Sequence, residues 1–247
     1  MRENQVLVNR QIEGVSMKNV HIYIAGDSTV SDCPPNEEPR AGWGQVINQF
    51  FQENVNIHNF AIGGRSSKSF IDEKRLEAIL NEIQPNDYLF IQFGHNDQKQ
   101  DHRRTEPYST YQDYLSQYIE GARAKKAIPI LVTSMHRRTF DENGKIMNSL
   151  GEYPEAMIAL AKEKHVSLID LWNDSKDLYE SLGPEECKNL FIWFEQGEHQ
   201  NYPDGISDDT HFREDGANKI AEIIAKEIKK TIPDLAIYLK DKSEVFK

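Results

Sequence analysis

Short apolar runs alternate along this chain with longer segments of helical periodicity. Each run is rich in isoleucine, valine, leucine and aromatic residues, as strands covered on both faces should be. Strands that alternate with helices are typical of βαβ units and of a parallel sheet. The sequence therefore predicts an α/β fold with five strands, Val20–Ala25, Val55–Ala61, Asp87–Phe93, Ile128–Ser134 and Val166–Leu171.

Helical patterns occupy the intervals between these runs. The last helix has the clearest one, because apolar residues from Ala217 to Ile228 recur at i, i+3, i+4 and i+7 spacing. Lysines crowd its C-terminal end, where the helix dipole favours cations, and Pro233 follows as a stop signal. Two segments do not fit the alternation and are predicted to be irregular, residues 136–150, with a turn at 141–144, and residues 184–210. The other predicted helices lie near residues 42–53, 68–83, 108–125 and 152–164.

Length and charge narrow the classes of protein to consider. A chain of 247 residues suits one large domain, predicted here over 18–247 after an N-terminal extension at 1–17. The net charge of −11, with no long basic block, disfavours nucleic acids and anionic membrane surfaces as partners. The sequence shows no apolar run of signal-peptide or membrane-span length. Its two cysteines, Cys33 and Cys187, could form one disulfide, but two reduced thiols in a cytoplasmic protein are the simplest interpretation.

Polar residues follow the first three predicted strands directly. Ser28 follows the first strand, Gly64 the second and Asn96 the third, while Asp208 and His211 precede the last helix. In an open parallel sheet, ligands bind at the carboxyl ends of the strands. The first three segments should therefore meet at one edge, and the fourth reaches that edge only if the last helix starts there.

These residue types match the requirements of acyl transfer. A serine hydroxyl needs a neighbouring base and an orienting acceptor, roles that His211 and Asp208 can take for Ser28. Asp208 is three residues before His211, so one turn of chain could bring its carboxylate to the imidazole. The backbone N–H groups of Ser28 and Gly64 and the amide of Asn96 can hold the developing oxyanion. Such chemistry needs no metal and no cofactor.

Competing motifs are missing from the sequence. The G-x-G-x-x-G spacing of dinucleotide sites, the G-x-S-x-G elbow of α/β-hydrolases and the H-E-x-x-H zinc motif do not occur. Each of the four polar segments would be weak evidence alone, since a strand-to-loop turn or a helix cap explains it equally well. Their occurrence in this order, each at the end of a predicted element, is what favours a serine hydrolase.

The four segments resemble the SGNH/GDSL hydrolase superfamily. Its signature Ser, Gly, Asn and His fall on Ser28, Gly64, Asn96 and His211, and its Asp falls on Asp208, which leaves the neighbouring Asp209 without a role. The strings Gly-Asp-Ser-Thr-Val, Gly-Gly-Arg-Ser-Ser, Gly-His-Asn-Asp and Asp-x-Thr-His-Phe resemble the rhamnogalacturonan acetylesterase branch, carbohydrate esterase family 12, of the bacterial intracellular type. This resemblance, over roughly residues 18–232, implies a three-layer, flavodoxin-like α/β/α sandwich around a five-stranded parallel sheet. It also implies removal of acetyl groups from rhamnogalacturonan, a pectic glycan.

A substrate of this kind raises a question of charge. Rhamnogalacturonan carries uronate carboxylates, so an acidic protein that binds it needs a locally positive cleft. Trp43 and Tyr108 are candidates for flat surfaces that face a sugar. Asp27, Trp43, Arg65 and His199 are the predicted substrate contacts, and the candidates for the positive field are Arg65, Lys68, His102, Arg103, Arg104 and His199.

Three other functions fit parts of the sequence. A lipase or acylhydrolase of the GDSL type is one, although residues 184–210 show no amphipathic apolar lid. An acetylesterase for another glycan, such as xylan, is the second. A non-catalytic carbohydrate-binding module is the third, and it would require Ser28 and His211 to lie apart. The sequence leaves the oligomeric state open.

Overall fold

A computed structural model of the chain describes residues 19–241 and 245, and all five predicted strands form in it. The predicted N-terminal extension lies outside the described residues. Three further strands appear that the sequence did not predict. In chain order the strands are β1 Val20–Gly26, β2 Arg40–Ala41, β3 Val55–Asn59, β4 Tyr88–Gln92, β5 Ile128–Val132, β6 Ser167–Ile169, β7 Phe191–Phe194 and β8 Ile206–Arg213. The α-helices are α1 Trp43–Val46, α2 Ser67–Asp72, α3 Arg75–Glu82, α4 Gln112–Ala124, α5 Tyr153–Lys164, α6 Leu171–Cys187, α7 Glu214–Thr231 and α8 Pro233–Ala236.

The five predicted strands pair in parallel in the order β3-β1-β4-β5-β6. Alternate residues of β1 enter different cores, since Ile22 and Ile24 pack with α1, α6 and α7, whereas Tyr23 and Ala25 pack with α2 to α5. Helices therefore cover both faces of the sheet, as the continuous apolar character of its strands requires. The predicted three-layer α/β/α sandwich with a five-stranded parallel sheet is confirmed.

The strand order also shows where a site should lie. The chain moves from β1 outwards to β3 and then returns to the other side of β1 to form β4. Crossovers that leave β1 in opposite directions open a crevice at its carboxyl end, and this is where open α/β sheets bind ligands. Ser28, Gly64 and Asn96 follow β1, β3 and β4, so all three are at this edge.

Two predicted helices differ in extent. The segment at 42–53 is helical only as α1 and a 3₁₀ turn, Ile47–Phe50. The segment at 68–83 is two helices, because Lys74 adopts a left-handed conformation with φ of 60° and interrupts the backbone ladder. The helices predicted at 108–125 and 152–164 are confirmed as α4, preceded by a short turn at Pro107–Tyr111, and as α5.

The prediction that residues 184–210 are irregular is wrong. Helix α6 continues to Cys187 across a break at Gly183, and β7 and β8 form an antiparallel sheet with β2 in the order β2-β8-β7. The Gly183-Pro184 pair obscured the helical periodicity of α6. Strand β8 is largely polar and shows no apolar alternation, because the antiparallel backbone ladder holds it in place.

The last helix is confirmed as α7, and its predicted apolar stripe is buried against the sheet. It starts at Glu214, directly after the segment that contains Asp208 and His211, so that segment reaches the carboxyl edge of the sheet. The turn predicted at 141–144 is also confirmed, because Asp141 accepts hydrogen bonds from the N–H groups of Asn143 and Lys145. Among the helices of residues 19–241, none has the length and apolar character needed to cross a bilayer.

Candidate active site

Ser28 lies in the tight turn that follows β1. The buried carboxylate of Asp27 accepts hydrogen bonds from the Thr29 N–H (2.9 Å) and hydroxyl (2.8 Å), and the Asp27 carbonyl accepts one from the Val30 N–H (3.1 Å). The turn is so close that a Cβ on Gly26 would meet Val30 Cγ2 at 2.8 Å. The prediction that Asp27 contacts substrate is therefore wrong, because its side chain is buried and fastens the turn that presents Ser28.

Ser28, His211 and Asp208 form one chain of hydrogen bonds. His211 Nε2 is 2.9 Å from Ser28 Oγ, and His211 Nδ1 is 2.6 Å from Asp208 Oδ2. The other carboxylate oxygen of Asp208 accepts the N–H groups of Thr210 (2.8 Å) and His211 (3.0 Å). Burial raises the pKa of Asp208, but the hydrogen bonds outweigh it and hold the pKa below its ordinary value. An ionised Asp208 keeps the imidazole proton on Nδ1, so the Nε2 lone pair faces the serine hydroxyl.

A bulge in β8 brings Asp208 and His211 together. Asp208 pairs with Ile192 and Phe212 pairs with the adjacent Phe191, so residues 209–211 are extra residues in the ladder. In a regular strand, side chains three residues apart point to opposite faces. The bulge removes this constraint, and the two N–H bonds to the Asp208 carboxylate stabilise it. The expected approach of Asp208 and His211 is present, but a strand bulge produces it instead of a simple turn of chain.

Asp209 has a structural role, although the sequence assigned it none. Its carboxylate accepts hydrogen bonds from Arg138 Nε (2.7 Å) and Trp193 Nε1 (2.9 Å), and its carbonyl accepts the Arg138 N–H (2.8 Å). The Arg138 guanidinium also stacks on Trp193 at 4.6 Å. These contacts anchor the bulge at Asp209.

Three candidate oxyanion donors, from Ser28, Gly64 and Asn96, belong to residues that line one cleft. The N–H groups of Ser28 and Gly64 find no acceptor in the described part of the chain. Gly64 has φ of +81°, a left-handed conformation that glycine adopts without strain. The Asn96 amide donates one hydrogen to the Arg65 carbonyl (3.0 Å), which leaves its second hydrogen available. All three residues line the same cleft as His211.

Arg103 connects two of these donors. Its Nη1 donates to the Gly64 carbonyl (3.2 Å) and to Asn96 Oδ1 (3.4 Å). Asp101 holds the rest of the guanidinium through Nε (3.0 Å) and Nη2 (2.6 Å). Arg103 therefore fixes the relative position of the loops that follow β3 and β4.

Hydrogen bonds to Asp97 hold the loop that contains Asn96 in place. Its buried carboxylate accepts hydrogen bonds from the Ser67 N–H (3.1 Å), the Ser67 hydroxyl and the Thr105 hydroxyl (3.1 Å). Tyr153 donates its hydroxyl hydrogen towards the Asp97 carbonyl (2.9 Å). Sequence reasoning gave Asp97 no role, and the signal that could have identified it is its place just after the buried strand β4.

Four residues predicted to meet substrate lie elsewhere. Trp43 is 0% exposed and donates Nε1 to Gln92 (2.7 Å), so it is a core residue with no face free for a sugar. Arg65 pairs with Glu73 (3.1 Å) outside the cleft, and only its carbonyl reaches Asn96. His199 stacks on Phe194 at 4.9 Å in the small sheet region, and the exposed Tyr108 lies outside the cleft lining.

Most of the basic residues predicted to create a positive field are also outside the cleft. Lys68 and Arg104 pair with Asp72 (2.6 Å) and Glu106 (3.0 Å), and the His102 side chain is 78% exposed on the loop surface. Of the predicted group, Arg103 alone is in the described cleft lining. The sequence missed Arg40, Lys99 and Arg137, which line the cleft together with Asp32 and Glu37. Lys99 and Arg137 follow β4 and β5, so the rule of strand carboxyl ends could have identified them.

The cleft has a volume of about 550 Å³ and a mostly polar surface, with Ser28 and His211 in its lining. Cys33 also lines it, and both Cys33 and Cys187 are free thiols, as predicted. His95 also lines the cleft; it donates Nε2–H to the Met135 carbonyl (2.9 Å), and burial lowers the pKa of its imidazole. A site with these parts can activate a serine hydroxyl and hold an oxyanion in one open, polar space.

Comparison with known proteins agrees with this chemistry. The sequence model of the GDSL-like lipase/acylhydrolase family matches residues 22–224. The chain is 55% identical to the rhamnogalacturonan acetylesterase RhgT of Bacillus subtilis over 91% of its length and 94% of that protein. It is 44% identical to the probable rhamnogalacturonan acetylesterase YesY of the same organism, over 85% of this chain and 92% of that protein. The crystal structure of Bacillus subtilis YxiM superposes with a TM-score of 0.75 at 31% identity, over 86% of this chain and 57% of that one. The chain therefore belongs to the GDSL-like lipase/acylhydrolase family and is a carboxylic ester hydrolase.

Proposed function

We propose that this esterase removes acetyl groups from rhamnogalacturonan oligosaccharides through an acyl-enzyme on Ser28. The observation that carries the catalytic assignment is the continuous chain of hydrogen bonds Ser28–His211–Asp208, whose Ser28 and His211 line the same cleft as Gly64 and Asn96. The substrate assignment is supported by the relatives named for rhamnogalacturonan, which match nearly the whole chain.

The proposed cycle uses only side chains and backbone groups of this chain. His211 Nε2 removes the Ser28 proton while Oγ attacks the acetyl carbonyl, and the N–H groups of Ser28, Gly64 and Asn96 hold the oxyanion. His211 then protonates the departing sugar oxygen, which leaves as a hydroxyl. A water molecule, deprotonated by His211, attacks the acetyl-serine, and His211 returns that proton to Ser28 Oγ as acetic acid leaves. Asp208 keeps the imidazole in the required tautomer and stabilises its charged form.

We expect Asn96→Ala to lower kcat about 10²- to 10³-fold, since one oxyanion donor is lost. KM should change much less, because this hydrogen bond forms mainly in the transition state. Steady-state kinetics on p-nitrophenyl acetate provide the measurement. Asn189→Ala, at an exposed asparagine outside the cleft, is the control. A kcat within threefold of wild type would remove Asn96 from the oxyanion hole.

The substrate is tested by measuring acetate release. We expect kcat/KM to be higher on acetylated rhamnogalacturonan oligosaccharides than on acetylated xylan oligosaccharides, p-nitrophenyl acetate or long-chain p-nitrophenyl esters. A preference for long acyl chains would indicate a lipase of the same family. A preference for acetylated xylan would retain the chemistry and reject the pectic substrate.

We also propose that residues 18–247 form one catalytic domain that acts in the cytoplasm as part of pectin breakdown. The single-domain assignment is supported by core packing on both faces of one sheet, from Val20 to Leu239. The free thiols of Cys33 and Cys187 are in keeping with a reducing compartment. Limited proteolysis tests the domain, and esterase activity in separated cell fractions tests the location.

A further inference from the structure

The cleft lining contains two cationic side chains that form no ion pair with a carboxylate of the described chain. The chain carries a net charge of −11, and most arginines in the described part form an ion pair with a carboxylate. Within residues 19–241 the exceptions are Arg137 and Arg213. Arg213 donates to two backbone carbonyls and stacks on the Phe194 ring at 4.1 Å, outside the cleft. Arg137 is the exception in the cleft lining.

Neutral oxygens hold the Arg137 guanidinium in place. Nη1 donates to the Ser149 carbonyl (3.2 Å), and Nη2 donates to the His95 carbonyl (3.4 Å). When the Gln98 amide is turned so that its oxygen faces Arg137, this oxygen accepts hydrogen bonds from Nη1 (2.9 Å) and Nη2 (3.2 Å). Nε–H has no acceptor among the described groups. These bonds orient the guanidinium, but no described carboxylate lies within ion-pair distance of it.

Removing a guanidinium from water without a carboxylate partner costs desolvation free energy, and an anion that approaches the guanidinium offsets this cost. Burial lowers the pKa of Arg137, while Asp27 and Asp208 act on it in the opposite direction without reaching ion-pair distance. Because an arginine stays charged under these conditions, it does not lose its proton to avoid this cost, and it attracts an anion instead. Groups perturbed by burial and by neighbouring charges in a cleft are candidates for ligand binding.

Lys99 adds a second free cation on the same side of the site. It is exposed in the cleft lining, and its ammonium has no ion-pair or hydrogen-bond partner in the part of the chain that is described. Lys99 follows β4 and Arg137 follows β5, and these strands are neighbours in the sheet. Gln98, which precedes Lys99, contacts Arg137 directly. Two cations without a carboxylate partner in the described chain therefore line the cleft that also contains Asn96.

We propose that Arg137 and Lys99 form a subsite for a carboxylate of the substrate, namely a uronate residue close to the sugar that carries the acetyl group. This inference rests on the proposed function and specifies which feature of the glycan is recognised. Arginine and lysine are suited to it because charge-assisted hydrogen bonds to carboxylates are short and strong. The subsite also explains how an acidic protein can bind an acidic glycan. Arg137 and Lys99 attract a uronate at short range, whereas the repulsion by the net charge of the protein acts over longer distances and is screened by salt.

The test pairs a change in the protein with a change in the substrate. Arg137→Gln and Lys99→Gln are assayed on acetylated rhamnogalacturonan oligosaccharides and on the same oligosaccharides after chemical reduction of their uronates to neutral sugars. For each variant we expect kcat/KM on the charged substrate to fall about 10- to 100-fold relative to kcat/KM on the reduced substrate. Arg137→Lys should restore part of this ratio for Arg137. Arg123→Gln removes the same charge from α4, at the opposite end of the sheet, and controls for net charge.

The outcomes separate the two proposals. If Arg137→Gln lowers activity equally on charged and reduced substrates, Arg137 only supports the Ser149 loop and the subsite is wrong. If wild-type enzyme cleaves charged and reduced oligosaccharides equally well, carboxylate recognition is also wrong, while the acetylesterase function stands. If neither oligosaccharide is deacetylated although p-nitrophenyl acetate is, the proposed function fails and the subsite fails with it.

Discussion

Ser28→Ala should reduce kcat on an acetylated oligosaccharide by about 10⁴- to 10⁶-fold, the range expected when a triad nucleophile is removed. The substitution deletes Oγ, which accepts or donates only the 2.9 Å contact to His211 Nε2 among the described groups. The Ser28 N–H remains, so the oxyanion donors and the turn held by Asp27 are kept. The loss should therefore be in catalysis and not in folding.

Two measurements make this result specific. Circular dichroism and thermal unfolding of Ser28→Ala should match wild type. Ser181→Ala, at an exposed α6 serine, is the matched control and should keep full activity. A fluorophosphonate probe should label Ser28 in wild type, and mass spectrometry should find no label in Ser28→Ala. Retention of more than about 1% of wild-type kcat by pure Ser28→Ala protein would contradict the nucleophile assignment.

Asp208→Asn should lower kcat about 10⁴-fold with little change in the structure, as tautomer reversal does in other serine hydrolases. The amide can donate a hydrogen bond to His211 Nδ1 at the place where the carboxylate now accepts one at 2.6 Å. His211 would then carry its proton on Nε2 and could not remove the Ser28 proton. Asp208 Oδ1 accepts two backbone N–H groups, so the amide oxygen can preserve the bulge.

Asp209→Asn is the matched comparison, since it makes the same change at the next residue. It weakens the charged contact to Arg138 and should destabilise the protein by about 1–2 kcal/mol, measured by denaturant unfolding. Its kcat should fall less than tenfold, because Asp209 does not contact His211 in the described structure. Equal losses of kcat in Asp208→Asn and Asp209→Asn would show that the bulge matters as a whole and that Asp208 has no separate role.

The sequence predicted the central sheet and the cleft-forming segments because their signals are local. The five apolar runs became the five parallel strands, and the stripe from Ala217 to Ile228 became the buried face of α7. The prediction failed for β7 and β8, whose pairing is antiparallel and long-range. Strand β8 contains two carboxylates, a histidine and an arginine, so no hydrophobic periodicity marks it as a strand.

Substrate contacts were the least predictable part, because exposure and ion pairing depend on residues distant in sequence. Trp43 was expected to face a sugar, but Gln92 accepts its indole N–H in the core. Lys68 and Arg104 were expected to attract a carboxylate, but each is paired with an acid nearby. Arg137 was overlooked, and only the tertiary structure shows that it has no carboxylate partner.

Local sequence signals were enough to predict the α/β fold and to place Ser28, Gly64 and Asn96 at one edge, since residues that follow parallel strands meet there whatever the loops do. His211 comes within hydrogen-bond reach of Ser28 in the folded chain, because the pairing of β8 with β2 and β7 and the packing of α7 on the sheet hold its segment at this edge. The tertiary structure also determines which cationic side chains have no carboxylate partner. Loop packing sets the distance between an acid and a base, and that distance determines whether a cation is neutralised or available to a ligand.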